Sequence, residues 1–193
     1  TCALPISIED YKPPVISEVF ADDGEKVGEF WTECRIFLPY EKIPRRVIQA
    51  FVDSEDERFW EHKGVDMRSI VRAFVANLRA GTTKQGGSTI TQQITRALLL
   101  TREKSMARKI REAILATRLE RYLTKEQILT LYLNQIYLGN RAYGVEAAAR
   151  NYFRKPLAEL SLAQTALIAG LPTAPTTFSP INNRAEARVR QEH

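Results

Sequence analysis

The stretch between Thr124 and Gly139 constrains this chain more than any other. Ile128, Leu129, Leu131, Tyr132, Leu133, Ile136 and Leu138 follow so closely that a helix here is apolar on most of its sides. Such a helix has no face to give to water, so other elements must enclose it. Thr124 and Gln127 stand at capping-box spacing at its start, and Gly139 is placed to close it. The expected fold is mainly α, with this helix at the centre. A chain of 193 residues, 44% of them hydrophobic, can bury one such core and carry a small appendage.

The enclosing helices have their own start and stop signals. Pro44 suits a first helical turn, and Val47, Ile48, Phe51, Val52 and Phe59 then recur at helical spacing. Asp66 is a candidate N-cap for a helix carrying Ile70, Val71, Phe74, Val75 and Leu78, which ends at Gly81. Thr89 and Gln92 repeat the capping-box spacing before the stripe of Ile90, Ile94, Ala97 and Leu98. Thr101 to Ser105 lacks apolar anchors and is expected to be a mobile loop, before a basic helix from Met106 to Leu123. Ala147, Ala148 and Ala149 allow close helix packing, and Ser161 with Gln164 caps a last core helix that stops at Gly170 and Pro172.

Residues 1–43 read differently. Pro13-Pro14 precedes a partly alternating run, Val15 to Phe20; Asp22-Asp23-Gly24 is a turn signal, and Lys26 to Leu38 returns as extended chain. This is a linker with a small β-hairpin, ahead of a domain covering 44–193. The chain starts at Thr1 without methionine and ends partway through an apparently helical stretch, as expected of a fragment of a longer protein. No apolar run approaches the length of about 18 residues that a bilayer-spanning helix needs. Cys2 and Cys34 are too few for a disulfide scaffold, and whether they pair is left open by the sequence.

The net charge is +5, but it is unevenly spread. Between Arg96 and Lys125 nine Lys/Arg face only Glu103, Glu112 and Glu120, a local excess of +6 that leaves the remainder at −1. Basicity is therefore a property of one region and implies an anionic partner: phosphate, nucleic acid or an acidic membrane surface.

Three clusters are candidates for chemistry. Glu55 falls on the apolar face of its helix, so it is either paired inside the core or lines a cleft, where partial desolvation raises its pKa and suits it to moving protons. Gly86-Gly87-Ser88-Thr89 opens a helix, which is an anion-binding arrangement or simply a glycine loop before a capped helix. The stretch Gly81 to Ser88 misses the nucleotide-binding P-loop, because Gly87 stands where that motif requires lysine. Arg108-Lys109-Ile110-Arg111-Glu112 puts Glu112 at the head of the stripe of Leu115, Ala116, Leu119 and Leu123. It is either half of an Arg–Glu pair or a second carboxylate facing Glu55 across a cleft, the usual equipment of glycosidic chemistry. His62 is a lone histidine, and no zinc site or Ser–His–Asp arrangement is readable.

Together these stretches resemble a known family. Glu55-Asp56-x-x-Phe59-x-x-His62-x-Gly64 is similar to the first motif of the peptidoglycan glycosyltransferases, glycosyltransferase family 51. Gly87-Ser88-Thr89-Ile90-Thr91-Gln92-Gln93 resembles the second and Arg108-Lys109-x-x-Glu112 the third. Lys125-x-x-Ile128-Leu129-x-x-Tyr132-Leu133-Asn134 resembles the fourth, and Gly144 to Ala148 with Tyr152-Phe153-x-Lys155 the fifth. The order is that of the family, and the nearest resemblance is to the 1A branch of the class A penicillin-binding proteins. The chain departs from it at Arg96-Ala97, where the family often has Lys-Asn.

The resemblance implies a lysozyme-like helical fold with a smaller membrane-facing lobe. It implies polymerisation of lipid II on the outer face of the bacterial cytoplasmic membrane, with the growing glycan strand on undecaprenyl pyrophosphate as donor. The parent protein would add a membrane anchor and a transpeptidase domain. Glu55 becomes the general base, and Glu112 holds the neighbouring cations or a divalent metal such as Mg2+, with no cofactor firmly required. Arg108 and Lys109 stabilise the departing pyrophosphate, and Ser88, Thr89, Gln93, Arg96 and Lys155 bind sugar and phosphate groups. Asp56, Phe59 and His62 position Glu55 or touch substrate. A lysozyme or lytic transglycosylase shares the helical fold and a catalytic glutamate but has no use for the +6 stretch. A nucleic-acid-binding reading finds no recognised motif.

Overall fold

The computed structural model describes residues 17–30, 34–81, 87–99 and 105–191. Pro13-Pro14, Cys2 with its suggested pairing to Cys34, and most of the Thr101–Ser105 loop lie outside the described residues. The described residues are mainly helical, as expected: α1 (Arg45–Glu55), α2 (Met67–Ala80), α3 (Ile90–Leu99), α4 (Met106–Tyr122), α5 (Lys125–Gln135), α6 (Val145–Phe153), α7 (Leu162–Gly170) and α8 (Arg184–Gln191). The hairpin is also present, with β1 (Ser17–Phe20) antiparallel to β2 (Lys26–Phe30) across the turn at Asp22–Gly24.

The central helix is α5. Ile128, Leu129, Leu131, Tyr132 and Leu133 are all buried, and α3 and α6 pack against it. Its start is the expected capping box: Thr124 Oγ1 accepts from Gln127 N and Gln127 Oε1 accepts from Thr124 N. Its end is not the expected one. The helix stops at Gln135, because Ile136 turns extended and its carbonyl accepts from Gly144 N, while Leu138 N donates to Ala142 O. Gly139 instead supplies the left-handed turn, φ 86°, of the loop that follows. That loop carries the short β4 (Ala142–Tyr143), which pairs in parallel with β3 (Cys34–Arg35).

The segment after the hairpin is tied to the core by one buried amide. Asn134 accepts from Leu38 N and donates to Leu38 O and Thr130 O, each at 2.8 Å. The side chain thus pairs with Leu38 as a neighbouring strand would, and no part of the buried amide is left unmatched.

Helix α1 lies in the same core through Val47, Ile48, Phe51 and Val52 and packs against α7. After Glu55 the chain turns back, and Gly64 brings it against α4. A Cβ at Gly64 would stand 2.6 Å from the carbonyl oxygen of Ala116, and φ is +91°, so only glycine fits. Helix α2 is the exception to enclosure. Asp66 caps it as expected, accepting from Arg68 N, yet Met67, Val71, Phe74 and Leu78 are exposed among the described residues. Its apolar spacing is that of a core helix, but those four side chains are left uncovered by the described residues.

Candidate active site

Glu55 is the last residue of α1, held where the helix is fixed on both sides. Ser54 Oγ donates to the carbonyl of Ala169 on α7 at 3.2 Å, and Glu55 Oε2 accepts from Gln93 Nε2 on α3 at 2.8 Å. Burial pushes the Glu55 carboxyl above the ordinary glutamate range. The Gln93 hydrogen bond, Arg190 on α8 and Arg96 on α3 pull the other way, and the Asp56 charge adds to the rise. Of the two options the sequence leaves for Glu55, a close ion pair inside the core is not what the described residues show. Among the described residues it has no ion-pair partner, only one neutral donor and cations at longer range.

Asp56 brings Gln93 to Glu55. Its carboxylate accepts from Ile90 N at 2.9 Å, at the first turn of α3, and contacts His62 Nε2 at 2.9 Å. A carboxylate at a helix N-terminus satisfies an orphan N–H and complements the dipole. It therefore fixes the start of α3, and Gln93 follows one turn later. Thr89 completes that start: its hydroxyl accepts from Gln92 N and donates to Gly64 O at 2.6 Å, while Gln92 Oε1 accepts from Thr89 N. The capping box read from the sequence is present.

Behind Asp56 runs a buried polar chain. His62 Nδ1 lies 4.0 Å from Glu120 Oε1, which accepts from Thr91 Oγ1 at 2.6 Å and from Lys125 Nζ at 2.8 Å. Lys125 Nζ also donates to His62 O and sits 4.4 Å above the Phe59 ring. Asp56, Phe59, His62 and Thr89 are all buried. Their contacts among the described residues run to one another and to α3, α4 and α5, which suits the expected positioning of Glu55.

The cationic pole lies where α4 meets the start of α3. Ser105 caps α4, accepting from Arg108 N. Lys109 Nζ donates to Ser88 Oγ at 2.8 Å and to Glu112 Oε1 at 2.6 Å, and Arg108 Nη1 is 3.7 Å from Glu112 Oε2. Glu112 has no solvent exposure, and of the two options the sequence leaves for it the structure shows the pairing, with Arg108 and Lys109. It lies against Lys109 and Arg108, and both of these keep part of their surface open. Two cations against one carboxylate, beside the N-terminal end of α3, leave the spot electropositive. No group of three His, Cys, Asp or Glu gathers among the described residues, and the carboxylate here faces ammonium and guanidinium. Those donors do not fit a resident divalent metal.

The structure thus joins Glu55 to Gln93 and Ser88 to Lys109, Arg108 and Glu112, with exposed Arg96 on the helix between them. Lys155 is exposed after α6, and no hydrogen bond or ion pair among the described residues links it to this cluster. The sequence gives no sign of Arg190, which lies in a polar helix rich in arginine. It crosses Gly170, where a Cβ would meet its Cγ at 2.9 Å, and reaches Ser54 Oγ at 3.4 Å.

Glu55 at the end of α1 and the Lys109–Arg108 cluster on α4 are joined through the segment from Ser88 to Gln93, the one by Gln93 and the other by Ser88. The chain matches the transglycosylase family model over residues 23–193, and it belongs to that family. Among full-length relatives it is similar to the protein named penicillin-binding protein 1A. Identity is 49% to that of Aquifex aeolicus, over 97% of this chain and 26% of that protein. The Pseudomonas aeruginosa protein is 46% identical over 90% of this chain and 21% of its own length, and the Escherichia coli protein 44% over 96% and 22%. The chain therefore spans about a quarter of the length of the relatives it matches. A solved structure of penicillin-binding protein 1A from Haemophilus influenzae aligns with 94% of this chain and 17% of that one, at 26% identity and a TM-score of 0.48.

Proposed function

We propose that this domain is a peptidoglycan glycosyltransferase that polymerises lipid II into β-1,4-linked glycan strands. The observation that carries the reading is Glu55: a carboxyl raised by burial, held by Gln93, on the same helix system as the Lys109–Arg108 pole. Glu55 takes the proton of the acceptor 4-hydroxyl as that oxygen bonds to the donor C1. The C1–O bond to pyrophosphate breaks in the same step, its electron pair leaves with undecaprenyl pyrophosphate, and the α-linked donor becomes a β-linkage. General-base help of this kind is worth on the order of 10²–10⁴ in rate. Lys109 and Arg108 stabilise the charge that builds on the departing phosphate, already positioned by Glu112 before the reaction begins.

The exposed apolar face of α2 suits contact with the hydrocarbon edge of a membrane, where a lipid-linked substrate resides. We assign the domain to the outer face of the bacterial cytoplasmic membrane, in a parent protein that also carries an anchor and a transpeptidase domain. The test is Glu55→Gln assayed on lipid II. Polymer formation is expected to fall by at least a hundredfold with lipid II binding retained. Near-normal polymer output, or release of cleaved muropeptides from glycan strands by the unaltered chain, refutes the assignment.

A further inference from the structure

Tyr132 stands on α5 in the middle of the core, and its hydroxyl is buried with no hydrogen-bond partner among the described residues. A buried hydroxyl left unpaired is unfavourable, and phenylalanine would fill the same space without that cost. Packing therefore accounts for the ring and not for the oxygen. The ring meets Phe51 edge-on, with centroids 6.2 Å apart, and Phe51 lies one turn before Glu55 on the buried side of α1. Helix α3, bearing Gln93 and Arg96, packs directly on α5. The phenol accordingly sits behind the point where α1 delivers Glu55 to α3. Burial first, then the Glu55 charge, holds it well above the ordinary phenol range, so the hydroxyl remains a donor at any working pH.

Gln93 reaches one oxygen of the Glu55 carboxylate, Oε2. We propose that Tyr132 is a positioning residue for Glu55, its buried phenol O–H being the donor to the carboxylate oxygen that Gln93 does not hold. The inference rests on the reading of Glu55 as the base. The ionised carboxylate gains a second donor as it takes up its working position, and the need for that donor ends once the acceptor's proton arrives. The other groups bearing on Glu55 are Arg96 from α3, Arg190 from α8 and Asp56 at its own helix end, while α7 brings no charged side chain.

The test is Tyr132→Phe in the 193-residue chain, with two readouts. The first is the carboxyl carbon resonance of Glu55, assigned by its loss in Glu55→Gln and followed against pH. Its midpoint is expected to rise by about one pH unit, a tenfold gain in proton affinity. The second is the acid limb of lipid II polymerisation, which is expected to rise by the same amount, with the thermal midpoint unchanged or higher. An unmoved Glu55 titration, or a lowered thermal midpoint showing that the hydroxyl serves the fold, overturns the proposal. Absence of polymer from the unaltered chain at every pH would count against the glycosyltransferase reading, while the titration would still decide the role of Tyr132.

Discussion

Asp56 is where the fold and the base depend on the same atoms, so Asp56→Asn is the most informative single change. The side chain is 4% exposed and its carboxylate serves both Ile90 N and His62 Nε2. Asparagine keeps one accepting oxygen for Ile90 and turns an amide NH2 toward His62. The loss of a hydrogen bond to a charged group costs about 1.5–3 kcal/mol. Removing a buried negative charge from the first turn of α3 costs about 0.3–2 kcal/mol more. Because one hydrogen bond survives, the total should be about 2–4 kcal/mol. For a domain of this length, that lowers the thermal midpoint by roughly 5–15 °C. Circular dichroism melting measures the shift, and hydrogen exchange locates it: Ile90 and the next two amides of α3 should lose protection before α5 does. Gln93 should then hold Glu55 less well, and polymerisation should fall further than stability alone explains at a temperature where the variant is folded. A midpoint within 1–2 °C of the parent, a difference on the order of the scatter for neutral surface changes, would refute the view that Asp56 sets the start of α3.

Three further outcomes follow from the same geometry. Glu55→Gln should stabilise the chain at neutral pH: a folded-state pKa above the ordinary 4.5 means that ionising the native carboxyl is unfavourable, so the cost is present above the raised value and vanishes below 4.5; urea melts from pH 4 to 8 should show the variant's advantage growing with pH, and a constant difference would contradict the burial. Gly64→Ala should cost about 2–5 kcal/mol, from left-handed backbone strain and the clash with Ala116 O, read as a lowered urea midpoint. Lys109→Met should lower kcat on lipid II by about 10²–10³, as for loss of a donor to a developing oxyanion, with partial recovery in Lys109→Arg; a loss confined to KM would reduce Lys109 to a binding contact.

The local signals were readable wherever a feature is made by neighbours in sequence. The caps at Thr89, Thr124 and Ser161, the turn at Asp22–Gly24 and the all-apolar α5 depend on side chains within a few positions of the backbone they serve. The end of α5 was not, because it depends on Gly144 N and Ala142 O returning to Ile136 and Leu138. Nor was the exposure of α2, since an uncovered apolar face and a face that meets a core share one spacing.

The same division runs through the site. Sequence alone marked Glu55 as a carboxylate on an apolar face and the Arg108–Glu112 cluster as a concentration of charge, since both are properties of one helix. Tertiary structure decided what surrounds them. It set Glu55 against Gln93 and within the field of Arg96 and Arg190, sealed Glu112 beneath Lys109 and Arg108, and turned Asp56 and His62 inward to hold α3. Burial and charge–charge distance determine which carboxylate can take a proton and which can only hold a cation, and neither is a property of a residue and its neighbours in sequence.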